Sequence, residues 1–136
     1  MNSFNSNGII GFVLALFYKD KERTKTTIVD EVMLEFSLVL ALLDVKKKDV
    51  ERIVELVIMF LIAFDNIIET DNKLILVRDF ENTNSEINCK GNYGIIKKME
   101  IDIIIANIKV ERLVKGLSIM SERLRENVIL PLFSDN

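Results

Sequence analysis

The sequence contains no histidine, and that one absence removes both the commonest general base and the commonest transition-metal ligand. It has a single cysteine, Cys89, so an intrachain disulfide is excluded and a reducing compartment is its natural home. With no histidine to activate it, Cys89 is not expected to act as a nucleophile. Blocks of one charge sign are missing as well. Eighteen Lys and Arg alternate along the chain with 21 Asp and Glu, for a net charge of -3, which gives no sign of a nucleic-acid partner. Gly91 to Gly94 is too short for a phosphate loop and lacks its Lys and Ser/Thr. The carboxylate pairs Glu100 with Asp102 and Asp30 with Glu31 sit among Lys and Arg, as solvated helix faces do. Long hydrophobic runs are also lacking. Gly8–Phe17 is short, and Ile53–Phe64 contains Glu55 and falls well below the roughly 20 residues of a membrane span. The N-terminal MNSFNSN lacks the positive charge of a signal peptide. The expectation is one soluble domain over residues 1–136, cytoplasmic, without a membrane anchor or span, a metal, a cofactor or enzymatic activity.

What the chain does have is apolar residues, 49% of its 136. Their spacing is mostly helical. Ile9, Phe12, Val13, Leu16 and Phe17 form a first stripe, followed by a charged linker from Lys19 to Lys25. Thr27 to Asp30 has the Ser/Thr-x-x-acid spacing of a helix start, and Val29, Val32, Phe36, Val39 and Leu43 continue from it. Lys46–Lys48 sits where a helix C-terminus would welcome cations, and Asp49 is placed to cap the next helix. That third helix carries Val50, Ile53, Val54, Val57, Phe60 or Leu61, Phe64 and Ile67 at helical period. Leu56, Ile58, Met59 and Ile62 lie on its other faces, so it must be covered all round. Lys73 to Phe80 fits either one or two helical turns or a short strand, and Asn82–Asn88 reads as loop. Met99 to Ile103 alternates like a strand but also fits a helix, whereas Val110 to Leu124 is an amphipathic helix. Pro131 breaks the pattern before Leu132 and Phe133. A compact all-α bundle of about seven helices around a central apolar helix is the expected fold class.

One short stretch stands apart. Lys90 to Met99 (KGNYGIIKKM) places two glycines, an amide and an aromatic ring side by side ahead of an isoleucine-rich run. Read plainly, it is a loop that starts a helix; read functionally, it is a recognition corner. At Asn92-Tyr93-Gly94-Ile95-Ile96 it resembles the Bcl-2 family of apoptosis regulators, whose first homology motif reads Asn-Trp-Gly-Arg before apolar residues. Ile119–Leu124 and Val128 through Phe133 are similar to that family's late helices and second homology motif, and Ile9–Tyr18 to its first helix. Tyr93 replaces the motif's Trp, Ile95 its Arg, and Leu132 stands where a Trp is usual.

The resemblance implies a virus-encoded prosurvival protein. It would hold the amphipathic death-motif helix of pro-apoptotic Bcl-2 proteins in a hydrophobic groove, in the cytosol and recruited to mitochondria by its partners. Asn92 would cap the central helix and Gly94 would admit the ligand. Tyr93, Ile95, Met99, Leu56 and Phe60 would contact the ligand, with Lys98 standing in for the lost Arg. The surplus of apolar residues, concentrated in Val50–Ile68, also predicts a homodimer. The competing expectation is a self-assembling helical structural protein with no death-motif binding.

Overall fold

In the computed structural model, which describes residues 3–77 and 89–129, the first helix is opened by Asn5. Its side-chain carbonyl accepts the Gly8 amide at 2.7 Å and so satisfies one of the amide groups left over at a helix start. Helix α1 (Ser6–Lys19) buries Ile9, Ile10, Val13, Leu16 and Phe17, the expected stripe with Phe12 at its edge. The linker that follows is not plain loop. Glu22–Arg23 forms a short strand, β1, and Arg23 Nε donates to the Leu16 carbonyl at 2.8 Å, satisfying the end of α1.

Helix α2 (Lys25–Glu35) begins two residues before the Thr27–Asp30 signal. Thr24 is the N-cap and Thr27 its partner in a reciprocal capping box. The stripe from Val29 to Leu43, expected as one helix, is broken at Phe36 (φ -101°, ψ 16°) into α2 and α3 (Ser37–Leu42). Phe36 is buried against the rings of Phe4 and Phe12, at 5.9 and 5.8 Å between centroids, and this tertiary anchor accompanies the break. Asp44, at φ 54°, then closes α3, with the Val45 amide donating to the Leu40 carbonyl at 2.9 Å.

Lys46–Lys48 does not end a helix. It opens α4 (Lys47–Ala63), with Lys46 as N-cap and Asp49 inside the first turn instead of capping it. Val50, Ile53, Val54, Leu56, Val57, Ile58, Phe60, Leu61 and Ala63 are buried, making α4 the central helix of the domain. Its end comes earlier than the periodicity suggests. Asp65 turns at φ 60° and the Asn66 amide donates back to Leu61 at 2.9 Å, so Ile67 leaves the helix and starts β2 (Ile67–Thr70). Of the two alternatives for the next stretch, residues 73–76 adopt the strand, β3 (Lys73–Leu76). The two pair antiparallel from Ile67↔Leu76 to Thr70↔Lys73, and β1 adds on the other edge of β3, for an order β1-β3-β2. The loop expected at Asn82–Asn88, and Pro131 with Leu132 and Phe133, fall outside the described residues.

The β2–β3 turn is two residues long, with Asp71 at φ 49° and Asn72 at φ 64°, the paired left-handed conformation that suits a tight hairpin. Only glycine adopts this region without a Cβ penalty. Asn72→Gly is therefore expected to raise stability by about 0.5 kcal/mol, less than the full penalty because glycine also loosens the unfolded chain. A thermal melt with an unchanged or lower midpoint would contradict it.

Met99–Ile103 resolves as helix, and it is continuous with Val110–Leu124. Both belong to α5 (Cys89–Leu124), 36 residues long and followed by a π-helical turn, Arg125–Ile129. It runs antiparallel to α4: Gly94 lies against Ala63 and Phe64, while Lys115 reaches Asp44 ahead of the start of α4. Gly94, Ile101, Ile105 and Ile108 form the buried face. A second apolar row, Ile96, Met99, Ile103, Val110, Leu113, Leu117, Met120 and Leu124, is between 52% and 67% exposed. The fold is thus mostly helical, as expected. Among the described residues it has five α-helices where about seven were expected, together with a three-stranded sheet that an all-α class does not include.

Candidate functional site

The Asn92–Gly94 corner lies inside a helix. Because α5 already begins at Cys89, Asn92 occupies the first turn and does not cap it. Gly94 is buried, and a Cβ there would stand 2.6 Å from Phe64 Cε2 and 3.1 Å from the Ala63 Cβ. The close approach that requires glycine is that of α4 to α5 within the domain. Tyr93 is exposed on one side; its hydroxyl lies 3.9 Å from the Met59 sulfur, and the Lys97 ammonium sits 4.8 Å over its ring. Lys97 also pairs with Glu100 at 3.3 Å.

Of the other residues expected in a ligand groove, Asn92, Ile95 and Met99 are exposed and Lys98 is half-buried. Leu56 is fully buried and Phe60 nearly so, packed on Phe64 at 4.8 Å between ring centroids, so both belong to the core. Asn92, Ile95 and Met99 thus share an exposed face of α5, Tyr93 leans back to Met59 of α4, and Leu56 and Phe60 lie in the core. Gly94→Val is expected to cost about 2 kcal/mol through forced displacement of the Phe64 ring, read as a lower melting midpoint. A midpoint within error of wild type would show that α4 and α5 do not need this contact.

A second surface is assembled by the start of α2, the start of α4 and the β2–β3 hairpin. A helix N-terminus carries a partial positive charge, so lysines there are unfavourable for the isolated fold. Helix α4 nonetheless opens with Lys46, Lys47 and Lys48, and its N-cap makes no side-chain capping bond. Lys46 donates to Asp44 at 3.2 Å. That hydrogen bond and the charge of Lys46, helped by Lys115 and Arg112, hold the Asp44 carboxyl below the usual carboxylate range. Lys47, Lys48 and Arg52 make no ion pair among the described residues.

Lys47 shares a shallow cleft with Lys25, Thr26, Asp30 and Glu51, joining the starts of α4 and α2. Lys25 also borders a cleft with Glu55, Met59, Glu69 and Asn72, which carries the surface on to the hairpin. Arg23, Thr24, Thr27 and Lys73 line a third hollow, with Asp20 and Glu22 at its rim. Lys25 pairs with Glu55 at 3.5 Å, and Lys73 with Glu22 at 2.7 Å. The hydrogen bond that Lys73 donates to Glu22, and the charge of that carboxylate, raise the Lys73 pKa, so this ammonium stays charged as it ties β1 to β3.

Sequence reasoning passed over this surface because charges that alternate along a chain carry no hint of which ones meet. Two signals were there to be read. One is the lysine triplet directly before a helical period, and the other is the Asp71-Asn72 pair between two apolar runs. Among the described residues no group of three His, Cys, Asp or Glu could hold a metal ion, and no helix is long and apolar enough to cross a membrane. The chain matches no family profile, no characterised protein and no solved structure.

Proposed function

We propose that the chain is a nucleic-acid-binding domain of the winged helix-turn-helix type, with the exposed amino-terminal turns of α4 presented to a groove and the β2–β3 hairpin as the wing. This reading rests on the order of elements. A helix, a short strand, the α2–α3 unit, a four-residue connection (Leu43–Lys46), α4 and an antiparallel hairpin follow one another, and the first strand returns to the edge of the hairpin. One local observation carries this order of elements to function: three lysines at the amino end of α4, where the fold itself is better served by carboxylates. Phosphate oxygens reward that placement, since lysines and the free amide groups of a helix start both bind them.

The net charge of -3 had pointed away from nucleic acid. The clefts of this surface also carry Asp20, Asp30, Glu51 and Glu69, so its charges are close to balanced, and the reading rests on Lys47, Lys48 and Arg52, which make no ion pair among the described residues. With few phosphate contacts the binding is expected to be modest and strongly salt-dependent. Fluorescence anisotropy with a labelled DNA duplex tests it. The expected result is saturable binding at low salt that weakens with a log–log slope of about -3. A duplex that stays free at tens of micromolar protein in low salt rejects the proposal.

A second reading, the sequestering of an amphipathic death-motif helix, draws on the apolar row exposed on α5 beside Tyr93, from Ile95 to Met99. In this arrangement the exposed row and Lys98 would receive the ligand, without Leu56 and Phe60. A panel of labelled death-motif peptides in the same anisotropy format separates the two. Peptide binding without duplex binding favours this reading, and the reverse result removes it.

A further inference from the structure

With the exposed Ala106 between Ile103 and Val110, the exposed row on α5 is spaced three and four residues alternately from Ile96 to Leu124 over about four heptads. A helix lying on its own domain shows a period of 3.6; a sustained period of 3.5 is what a second helix wound along it requires. The buried face of α5 is taken up by α4 on the opposite side, so the helix carries two apolar faces and the domain uses one. Beyond Ile108 the buried face ends: the described side chains from Lys109 to Val128 are exposed apart from the position of Gly116. The heptad row continues there regardless.

We infer that this row is the seam of a homodimer, formed by antiparallel pairing of α5 with α5 of a second copy. Three observations select that occupant and that geometry. Covering side chains that are each more than half exposed over this length would bury on the order of 1,500 Å² in total, the size of a stable specific interface. In an antiparallel pair, placing Met99 against Leu124 of the second copy sets the small Ala106 opposite the large Leu117, so every layer between Met99 and Leu124 is filled and only Ile96 at the end of the row meets a polar residue, Asn127. A parallel pair sets Ala106 against itself and leaves a thin layer. The flanking charges choose the register. With Met99 against Leu124, Asp102 faces Arg123 of the second copy twice by symmetry; a shift of one heptad either way brings Lys109 against itself or against Arg123. All of these flanking side chains are exposed. In Val50–Ile68, the other segment expected to drive self-association, most apolar residues are covered by the core, with Met59, Ile62 and Phe64 partly buried and Ile68 exposed.

The test is sedimentation of the full chain across a concentration series. Wild type is expected to be dimeric at tens of micromolar. Leu113→Asp/Leu117→Asp is expected to be monomeric and to unfold at the temperature wild type shows when diluted to the monomer, since neither side chain is buried in the domain. Asp102→Lys is expected to weaken the dimer by about 10-fold, and Asp102→Lys with Arg123→Asp to restore it. A monomeric wild type overturns the inference, whatever the duplex or peptide assays report. A dimer indifferent to Leu113 and Leu117 overturns it too, and a dimer indifferent to Asp102→Lys overturns the antiparallel register.

Discussion

Leu56→Ala is expected to lower the unfolding free energy by about 3 kcal/mol and the melting midpoint by roughly 10 °C. Leu56 has no exposed surface and lies mid-way along α4, where Val57, Ile53 and Leu61 are equally covered. Truncation removes the transfer free energy of the lost carbons and leaves a cavity. Collapse around it is limited because α4 is held on several sides, by α1, α2, α5 and β2. The same substitution decides between two roles for this residue. If Leu56 lined a groove open to a ligand helix, its loss would shift stability by no more than about 0.5 kcal/mol and would appear instead as weaker peptide binding. Denaturant unfolding of wild type and variant, with the midpoint compared at equal slope, gives the answer. A midpoint that does not move would place Leu56 on a surface and contradict the packing described for α4.

Lys47→Glu/Lys48→Glu is expected to abolish duplex binding at moderate salt, with a loss of at least about 100-fold at low salt. Each reversal removes a cation from the phosphate-facing surface and adds an anion beside Glu51. The log–log salt slope should fall in magnitude by about 2, one unit for each lost phosphate contact. Stability should not suffer, because carboxylates suit a helix N-terminus better than ammonium groups do. A small rise of a few tenths of a kcal/mol is the expected sign. That combination, lost binding with equal or greater stability, is what separates a functional placement of these lysines from a structural one. A double variant that binds the duplex as wild type does would remove α4 as the contacting helix. One that loses stability together with binding would show that Lys47 and Lys48 serve the fold.

Local patterns in the chain settled a good deal without help from the tertiary structure. The 3.6 period located α1 and α4, and the apolar row from Val110 to Leu124 marked the end of α5. These segments are legible because one covered face imposes one repeat on residues a few positions apart. The absence of histidine excludes histidine chemistry, and Cys89 alone excludes an intrachain disulfide; both follow from composition in any fold.

Everything that depends on residues distant in the chain was decided by packing. Phe36 separates α2 from α3 because Phe4 and Phe12, more than twenty positions earlier, meet its ring. Ile67 fits the helical period but pairs with Leu76, once Asp65 has turned the chain out of α4. The glycine of the Asn-Tyr-Gly corner is required by Phe64, thirty residues away, and nothing local distinguishes that need from room for a ligand. The lysine triplet reads equally well as the end of one helix or the start of the next. Only the left-handed turn at Asp44 places it at the start of α4, with Lys47 beside Lys25. Sequence order carries the identity and spacing of charges and apolar groups. Which of them share a surface is set when long-range contacts bring segments together, and for this protein that includes the surface proposed to act.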